Sequence, residues 1–532
     1  MSLDTAEIRK KLVDIRYPLC IFLALIVRLI YNSQIIHLPL YQYPLGGHTI
    51  FIEYAEKILA GDLNPTKRVF TDNSPYYPYL LSVLMLIFGA KNYLLIRLFG
   101  AMADLITIYL IGKIADKKFN SESSFFSMLL YALYGPAIYL SVELIYSVYA
   151  VLLVALIQYL IIKGDENCSE ANKIRTYAPL GIILGILVGI MPSSVLIVPL
   201  LIIYLKVKKV EIKNITITVL LFFITIFPIA VLNYKNSKSF TLLTTGFGHN
   251  FYIGHNKYSK VGYYLPEKIG EFYLTSRGNI FDNMKKIAEE GEGRTFQDSQ
   301  VSSYFFKKAI GHIVEHPAEE FKLLCQRMHA FLNIHEATTY VNYYFQSQNS
   351  KLLQYTVQFN LLLFFSVFGI LHTRLRDHLD LVIPIIITLL TILIFFYLTR
   401  FRIIMIPTLV IYGGVGIAVI KNSFLKNRVK FFTKLGIAFL FLGISSFRLV
   451  KIDLSNEWNK VGAVYLKLQR LKEAKEAFYK SLSENSSNSA TYLNLALVLN
   501  KEGNAEEADK MKRQAELIIQ GNQGNRAADF IK

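Results

Sequence analysis

The sequence is short of charge. Asp, Glu, Lys and Arg together make up only 18% of the 532 residues, whereas soluble domains typically contain about 25%. Hydrophobic residues make up 53%, and they are concentrated in blocks of about 18–20 residues, long enough to cross a bilayer. This composition predicts an integral membrane protein and argues against a soluble enzyme.

Cysteine is also scarce, with only Cys20, Cys168 and Cys325 in the chain. An odd and scattered set is neither a disulfide framework nor a metal cluster. His312 and His316 lie four residues apart on a predicted helix, a spacing that can hold a metal ion, but no third ligand lies nearby in sequence. We therefore do not assign a metal site to them.

Acidic residues are fewer than basic ones, and the formal net charge is +18. The basic residues lie mostly in short loops between apolar blocks, as is typical of the cytoplasmic flanks of membrane spans. We therefore expect no nucleic-acid partner. With the N-terminus inside, the charge pattern predicts a multi-pass protein of the cell inner (plasma) membrane whose C-terminus is extracytoplasmic.

The predicted fold is all-α and polytopic, with about eleven transmembrane helices. Residues 76–90 are apolar but short, and we interpret them as a re-entrant or interfacial helix. The spans are predicted at 17–36, 93–112, 124–141, 144–163, 177–191, 192–206, 214–232, 352–371, 380–398, 402–420 and 430–449.

The spans divide the chain into four regions. These are an N-terminal membrane domain at 1–232 with a first outer loop at 37–92, an extracytoplasmic insert at 233–350, the C-terminal spans at 351–450, and a repeat domain at 451–532. Within the insert, residues 299–332 are predicted to form two amphipathic helices broken at Pro317.

The tail contains an internal repeat. Its first copy has the tetratricopeptide pattern W-x2-L-G-x2-Y…A-x3-F, and five of the six positions recur one tetratricopeptide period later. Two repeats are fewer than the three usually needed for stability, so the tail should pack on the membrane domain or on a protein partner. The first-copy residues are Trp458, Val461, Gly462, Tyr465, Ala474 and Phe478.

Several stretches occur in an order known from one superfamily. These stretches are YAEKILAGD (54–62), SPYYPYLLSVLMLIFG (74–89), RLFGAMADLITIYLIGK (97–113), LYGPAIYLSVELI (133–145), HNFYIGHNKYSKVGYYLP (249–266), 299–336 ending in FLNIHE, and TRFRIIMIP (399–407). With this order and its repeat tail, the chain resembles the polytopic GT-C glycosyltransferases. It looks closest to bacterial glycosyltransferase family 39 members, relatives of protein mannosyltransferases, that carry tetratricopeptide tails.

The resemblance implies a sugar donor linked to a polyprenyl phosphate, with transfer outside the cytoplasm to a glycan, lipid or protein acceptor that the sequence does not identify. Such a reaction needs a carboxylate to take the proton of the acceptor hydroxyl. It also needs a cation to stabilise the departing phosphate. Whether that cation is a divalent metal ion stays open, and its ligands are unknown.

Glu143 is the main catalytic candidate, because it lies at an outer turn where the family pattern also has an acid. The alternative is a solvated turn carboxylate. The family usually has an Asp in the first outer loop, but this chain has Gly47 at that position, beside His48. The role of that Asp passes to Glu53 or Asp72, or is lost; His48 is a substrate-binding candidate.

Arg400 and Arg402 are candidates for binding the donor phosphate, because Arg binds phosphate bidentately and both lie in a short outer loop. Ordinary interfacial anchoring is the alternative. Arg97, at the outer start of a span, is a further candidate. Asn250 and Asn256 are candidates for recognising sugar hydroxyls, although their segment could equally be a structural turn.

Arg28 and Asp104 are each the twelfth residue of their predicted spans, which run in opposite directions. At 1.5 Å per residue, both charges fall near the bilayer centre, where a lone charge costs at least about 2.5–3.5 kcal/mol. We expect them to form a structural salt bridge. Alternatively, Arg28 extends to the interface and Asp104 bonds a hydroxyl such as that of Thr107.

Three other functions compete with sugar transfer. The chain could be a catalytically altered relative of the enzymes, or a scaffold in which the membrane domain only anchors the repeat. A lipid transporter is the third alternative, but its usual inverted repeats are not apparent in the sequence.

The charge pattern generates a topological prediction. Residues 233–350 and the tail after residue 450 should lie on the same, extracytoplasmic side. Cysteines introduced into each region should react with a membrane-impermeant maleimide added to intact cells. A tail that reacts only after permeabilisation would contradict this topology.

Overall fold

In the computed structural model, the structure describes residues 5–66, 74–166, 170–238, 240–263, 280–337, 341–423, 428–447 and 452–527. Within these ranges the regular structure is helical and no strand occurs. The predicted all-α polytopic fold class is therefore confirmed. The chain divides into two compact units, and its division into four regions stays a prediction.

The first unit comprises Met1–Tyr31, Phe51–Ala337 and Tyr355–Leu449. Its described helices are α1 (Thr5–Ile35), α3 (Gly47–Leu59), α4 (Tyr77–Phe88), α5 (Tyr93–Lys118), α6 (Ser121–Ala132), α7 (Gly135–Ser141), α8 (Ser147–Glu166), α9 (Glu170–Ile190), α10 (Ile197–Val207), α11 (Ile212–Ser237), α12 (Gly246–Gly254), α13 (Ile280–Glu292), α14 (Asp298–Glu315), α15 (Pro317–Leu332), α18 (Phe359–Ile370), α19 (Leu379–Ile394), α20 (Thr399–Arg402), α21 (Ile406–Ser423) and α22 (Arg428–Ser446). Helices α1 and α3 each have one end in the second unit.

Eight helices among the described residues are long and apolar enough to cross a membrane. The predicted spans at 192–206 and 352–371 correspond to the shorter apolar helices Pro192–Val207 and Phe359–Ile370, so the total of about eleven spans stays a prediction. The eight long helices are Ile15–Ile35, Tyr93–Lys118, Ser147–Gly164, Lys173–Ile190, Ile212–Ser237, Leu375–Ile394, Thr399–Asn422 and Arg428–Ser446.

Helix α4 covers most of the ambiguous apolar stretch at 76–90. It has 12 residues and is about 18 Å long at 1.5 Å per residue. That is well short of a hydrocarbon core of about 30 Å. Its length is the one expected of a re-entrant or interfacial helix.

The predicted continuous span at 124–141 is instead two helices, α6 and α7, separated at Leu133 and Tyr134. Pro136 in the first turn of α7 has no amide hydrogen to continue a helix. The freed backbone groups bond a neighbouring segment: the Gly135 amide donates to the Val357 carbonyl at 2.9 Å, and the Val357 amide donates to the Leu133 carbonyl at 2.9 Å. A broken helix at membrane depth is tolerated because its polar groups are satisfied within the protein.

Ion pairs identify the two ends of this helix bundle. The Lys118 ammonium lies 2.9 Å from the Asp380 carboxylate, and Lys421 lies 2.7 Å from Glu122. Helices α5 and α21 end there, and α6 and α19 begin there. The start of α5, the turn after α7 that holds Glu143, and the residues preceding α21 therefore lie at the opposite end. We call it the Glu143 end.

The predicted Arg28–Asp104 salt bridge is confirmed. Two guanidinium nitrogens of Arg28 lie 2.6 and 2.9 Å from one carboxylate oxygen of Asp104, and both residues are 1% exposed. The Tyr131 hydroxyl donates to the other oxygen at 2.8 Å, and Arg28 also donates to the Ala132 carbonyl. Thr107 bonds its own helix backbone instead. The pair thus connects α1, α5 and α6.

The second unit comprises Asn32–Ile50, Thr338–Gln354 and Val450–Lys532. Trp458 packs edge-on against Phe345 with ring centroids 5.3 Å apart. The tail therefore buries its apolar face against segments that precede it by many residues. The helices of this unit are α2 (Pro39–Gln42), α16 (Tyr343–Asn349), α17 (Lys351–Gln354), α23 (Ser455–Lys467), α24 (Leu471–Glu484), α25 (Ser489–Lys501) and α26 (Ala505–Ala527).

The four tail helices repeat with the predicted period. The offset from the start of α23 to the start of α25 equals the offset from α24 to α26, and both equal one tetratricopeptide period. Phe478 and Leu495 are fully buried where α24 and α25 meet. Gly503, in the turn before α26, has φ +84°, a conformation that favours glycine. The tail is a pair of helical hairpins, and its assignment to the tetratricopeptide class stays a prediction.

The Arg28–Asp104 pair generates a stability prediction. Arg28→Met and Asp104→Leu should each destabilise strongly, by about 3–5 kcal/mol, because each leaves a buried charge unpaired. The double variant should be more stable than the sum of the two losses predicts, since coupled neighbours deviate from additivity by about 0.5–3 kcal/mol. Thermal unfolding in detergent measures this. Strict additivity would show that the two charges are not coupled.

Candidate functional site

Glu143 lies in the turn between α7 and α8, at the Glu143 end. It is 5% exposed, and its carboxylate lies 3.4 Å from an Arg97 guanidinium nitrogen on α5. The same Arg97 nitrogen donates to the Val142 carbonyl at 2.6 Å. Arg97 is 2% exposed, so the two charges are removed from water together. The carboxylate is therefore held by a cation inside the bundle, rather than solvated as the alternative interpretation expects.

Aromatic rings surround this turn. Tyr146 follows Glu143 closely in the chain, and its ring centroid lies 6.0 Å from Phe51 and 6.1 Å from Tyr77. Tyr77 in turn lies 6.2 Å from Tyr149. Rings of α3, α4 and α8 thus form an aromatic cluster with Tyr146, three residues after Glu143. Such apolar surroundings exclude water and strengthen electrostatic interactions.

The first-loop candidates have different surroundings. Glu53 is exposed on α3, two residues after buried Phe51. Asp72 lies outside the described residues. In the second unit, Gly47 is the first residue of α3, and His48 is buried with 1% exposure. Of these candidates, Glu53 alone is accessible in the part of the chain that the structure describes.

Arg402 does not face the surface, contrary to its predicted role. It is 1% exposed and donates to the Glu336 carboxylate and the Asn333 carbonyl. Its guanidinium carbon lies 3.8 Å from the centre of the Phe359 ring. A guanidinium so enclosed is fixed to its own chain and has no open face for a phosphate. Arg400, two residues earlier, is partly exposed, and we retain it as the phosphate candidate.

A second buried arginine lies nearby. Arg327 on α15 donates to the Gly254 carbonyl and, at 3.1 Å, to the Leu393 carbonyl. His255 bonds the Glu320 carboxylate at 2.6 Å and the Ile394 carbonyl at 2.8 Å. These bonds join the loop after α12, helix α15 and the last turn of α19.

Burial and charge shift the pKa values in this cluster. Burial alone would raise the pKa of Glu320, but the His255 hydrogen bond and the Arg327 charge bring it below its ordinary value. Burial lowers the pKa of Arg327 to about 10, so the guanidinium stays charged at neutral pH. The carboxylate and the guanidinium therefore attract each other across the physiological range.

The two asparagines bond their own segment. Asn256 is 6% exposed, donates to the Tyr252 carbonyl at 2.6 Å and accepts from the Tyr258 amide at 2.8 Å. Asn250 donates to the Gly246 carbonyl at 2.9 Å. These contacts favour the structural-turn interpretation, most clearly for Asn256.

Three stretches that carry the family resemblance meet here. The Tyr397 amide donates to the Val261 carbonyl at 2.9 Å, and the Tyr397 hydroxyl donates to the His335 carbonyl at 2.5 Å. Gly254 lies so close to the Phe395 carbonyl that an added Cβ would collide with its oxygen, which only glycine avoids. The segments containing HNFYIGHN, FLNIHE and TRFR thus form one cluster around Arg327 and Arg402.

The sequence interpretation did not single out Glu320, Arg327 or Glu336. A signal existed for the first two: Glu320, Leu323 and Arg327 recur at helical spacing on one face of α15, and all three are buried. Charged residues aligned with an apolar position on one face of a helix indicate buried charges that need partners inside the protein. Glu336 had no comparable signal, because its partner lies on a distant part of the chain.

Among the described residues, no three His, Cys, Asp or Glu side chains converge as metal ligands. His312 and His316 stack with centroids 4.8 Å apart. Burial and the neighbouring His316 lower the pKa of His312. The clefts of the described surface include one of about 520 Å³ beside α14 and one of about 310 Å³ in the second unit. Neither is lined by Glu143.

Comparisons with known proteins find one matching family model and several similar solved structures. The family model described as dolichyl-phosphate-mannose-protein mannosyltransferase matches residues 72–234. No curated protein matches the chain. ArnT from Cupriavidus metallidurans bound to undecaprenyl phosphate is similar over 94% of this chain and 75% of its own, at 13% identity and a TM-score of 0.44.

The oligosaccharyltransferase of Archaeoglobus fulgidus in complex with Zn and sulfate is similar over 85% of this chain, at 14% identity and a TM-score of 0.43. This chain spans 56% of the length of that protein. The family match covers α4 to α10 and most of α11, and it contains both Arg97 and Glu143. The matched segment is less than a third of the chain, and over this segment the chain is similar to the dolichyl-phosphate-mannose-protein mannosyltransferases.

Proposed function

We propose that this protein transfers a sugar from a polyprenyl-phosphate donor to an acceptor hydroxyl on the extracytoplasmic side of the cell inner membrane. One observation carries the proposal: a buried carboxylate, Glu143, is held by Arg97 at an interhelical turn of the family-matched segment. The description of the matching family names mannose carried on dolichyl phosphate, which supports a lipid-linked donor.

The proposed reaction is a substitution at the anomeric carbon of the donor sugar. The acceptor oxygen forms a bond to this carbon while the bond to the phosphate oxygen breaks. The proton of the acceptor hydroxyl passes to Glu143, and the polyprenyl phosphate leaves with the bonding pair. The Arg97 guanidinium, 3.4 Å from the Glu143 carboxylate, holds in place the group that accepts this proton.

The leaving phosphate needs positive charge beside it. Arg400 lies at the Glu143 end, in the short helix α20 that precedes α21, and its side chain is partly exposed. Arg402 forms a salt bridge with Glu336, so it positions the 399–402 segment rather than binding the donor phosphate. We assign phosphate binding to Arg400 and a positioning role to Arg402.

A catalytically altered relative is the second candidate. Gly47 occupies the position where the family usually has an Asp, and this observation favours loss of one catalytic group. In that case the membrane domain would anchor the helical tail, and the tail would bind a protein partner. Incubating the purified protein with labelled polyprenyl-phosphate sugars separates the two: release or transfer of label supports the enzyme, and an inert donor supports the altered relative.

Replacing Glu143 tests its role as general base. Glu143→Gln should lower the transfer rate by about 10²–10⁴-fold, the usual loss when a general base is removed. The amide oxygen can still accept the Arg97 hydrogen bond, but the buried Arg97 charge loses its carboxylate, so the unfolding temperature should fall and the rates are compared well below it. Rate and thermal unfolding are measured on the same preparation.

The matched control is Glu122→Gln, which neutralises a carboxylate at the other end of the bundle, where Glu122 pairs with Lys421. It should transfer sugar at the wild-type rate. Wild-type activity in Glu143→Gln would remove Glu143 from the mechanism.

The two arginines of the 399–402 segment should respond differently. Arg400→Ala should weaken donor binding about tenfold or more, the loss of a hydrogen bond to a charged group, without affecting stability. Arg402→Met should lower stability by about 3–5 kcal/mol because Glu336 is left buried and unpaired. Binding of polyprenyl phosphate and thermal unfolding distinguish these effects.

The control for Arg402 is the double variant Arg402→Met, Glu336→Leu. Removing both charges should recover much of the lost stability, since an apolar pair of similar volume tolerates burial. A stable Arg402→Met protein with impaired donor binding would reverse the assignment of the two residues.

A further inference from the structure

Two helices of the region between α11 and α18 expose apolar side chains in regular rows. On α14, Phe306, Ile310 and Val314 are 36%, 40% and 73% exposed. Their spacing of four residues places them on one face of the helix. We call this row the α14 stripe. The opposite face of α14, with Phe305 and Ala309, is buried, and Phe305 packs in a core with α13.

Helix α15 has a similar row. Phe321 is 70% exposed, Met328 is 39% exposed, and Cys325 is also exposed. These three residues, spaced by four and three, share one face and form the α15 stripe. The other face of α15 carries the buried side chains of Glu320 and Arg327. Both helices are therefore apolar on a face that the described part of the protein does not cover.

The α14 stripe continues into the surface of a membrane span. Phe306 lies 5.8 Å from Phe247, and Phe247 lies 5.6 Å from Phe395, measured between ring centroids. Phe395 directly follows the last residue of α19. On that helix Ile386 and Leu390 are exposed, as expected of lipid-facing residues.

The stripes are also held at the depth where the span ends. The last two carbonyls of α19 bond Arg327 and His255, as described above. The Ile334 amide, just beyond α15, donates to the Ser445 carbonyl at 2.8 Å near the end of α22, a second span. Helix α15 is thus fastened to the ends of two membrane spans, beside the boundary between hydrocarbon and water.

The positively charged residues at the edge of each stripe also fit a position at the boundary between hydrocarbon and water. Lys307 follows Phe306, and Lys322 follows Phe321; both lysines are exposed. A residue one position along a helix is rotated by about 100°, so each lysine borders its stripe rather than interrupting it. Lysines in this position extend to lipid phosphates while the apolar face enters the acyl boundary.

We propose that the α14 and α15 stripes lie in the lipid bilayer, at the boundary between headgroups and acyl chains of the leaflet at the Glu143 end. The occupant of this apolar surface is lipid, because the surface is continuous with a membrane span, is bordered by cationic side chains, and is fastened to the ends of two spans. The segment rests on the membrane instead of extending into water. This inference does not depend on the proposed transferase activity.

The test places a fluorophore on the α14 stripe of the full-length protein in lipid nanodiscs. Cys20, Cys168 and Cys325 are first replaced by Ser. Val314→Cys is then labelled with an environment-sensitive dye; this side chain is largely exposed, so its replacement leaves the packing intact. The matched control is Lys308→Cys, an exposed position on the opposite side of the same helix. Phe321→Cys repeats the measurement on the α15 stripe.

Dye at positions 314 and 321 should be quenched by lipids with a nitroxide near the headgroup and protected from aqueous iodide. Dye at position 308 should show the reverse. Iodide quenching at 314 and 321 equal to that at 308 would overturn the proposal, because the stripes would then face water. Protection from both quenchers would also overturn it, since the stripes would then be covered by protein, such as a second copy of the chain.

Discussion

Four arginines among the described residues of the first unit are at most 2% exposed, and the arrangement of the unit depends on how each charge is compensated. Transferring an isolated charge into a low-dielectric interior is prohibitive, so every such guanidinium needs a carboxylate or several carbonyl oxygens. Arg28 bonds Asp104, Arg97 bonds Glu143, and Arg402 bonds Glu336. Arg327 is compensated mainly by backbone carbonyls. Each connects elements that are far apart in sequence.

These four sites differ in what the protein gains from them. The Arg28 site joins spans and contains a tyrosine hydroxyl, so its hydrogen bonds are nearly complete and it is well suited to a structural role. The Arg97 site is simpler, with one carboxylate at a turn near the bundle end. In the proposed reaction the carboxylate near the membrane surface accepts the proton of the acceptor hydroxyl, whereas a carboxylate at mid-membrane depth cannot meet a sugar.

The sequence was sufficient wherever local geometry decides the outcome. Helical rise determines the depth of Arg28 and Asp104 within antiparallel spans, so their pairing could be predicted from two residue numbers. The period of the tail repeat located its helical hairpins in the same way. The enclosure of Arg402 could not be predicted, because its partner Glu336 follows a different helix and no periodicity relates them. The prediction of a continuous span at 124–141 was wrong, because α6 ends at Ala132, a new helix begins with Pro136 in its first turn, and a distant segment satisfies the freed backbone groups.

The shared core of the second unit has a consequence for biosynthesis. Leu40 and Phe345 are buried together with Leu454 and Val461, although the ribosome makes them at very different times. The segments that contain Leu40 and Phe345 therefore keep apolar side chains unburied until the tail has been translated and packs against them. A chain interrupted before its tail would leave these side chains exposed, and quality-control proteases could recognise it by them.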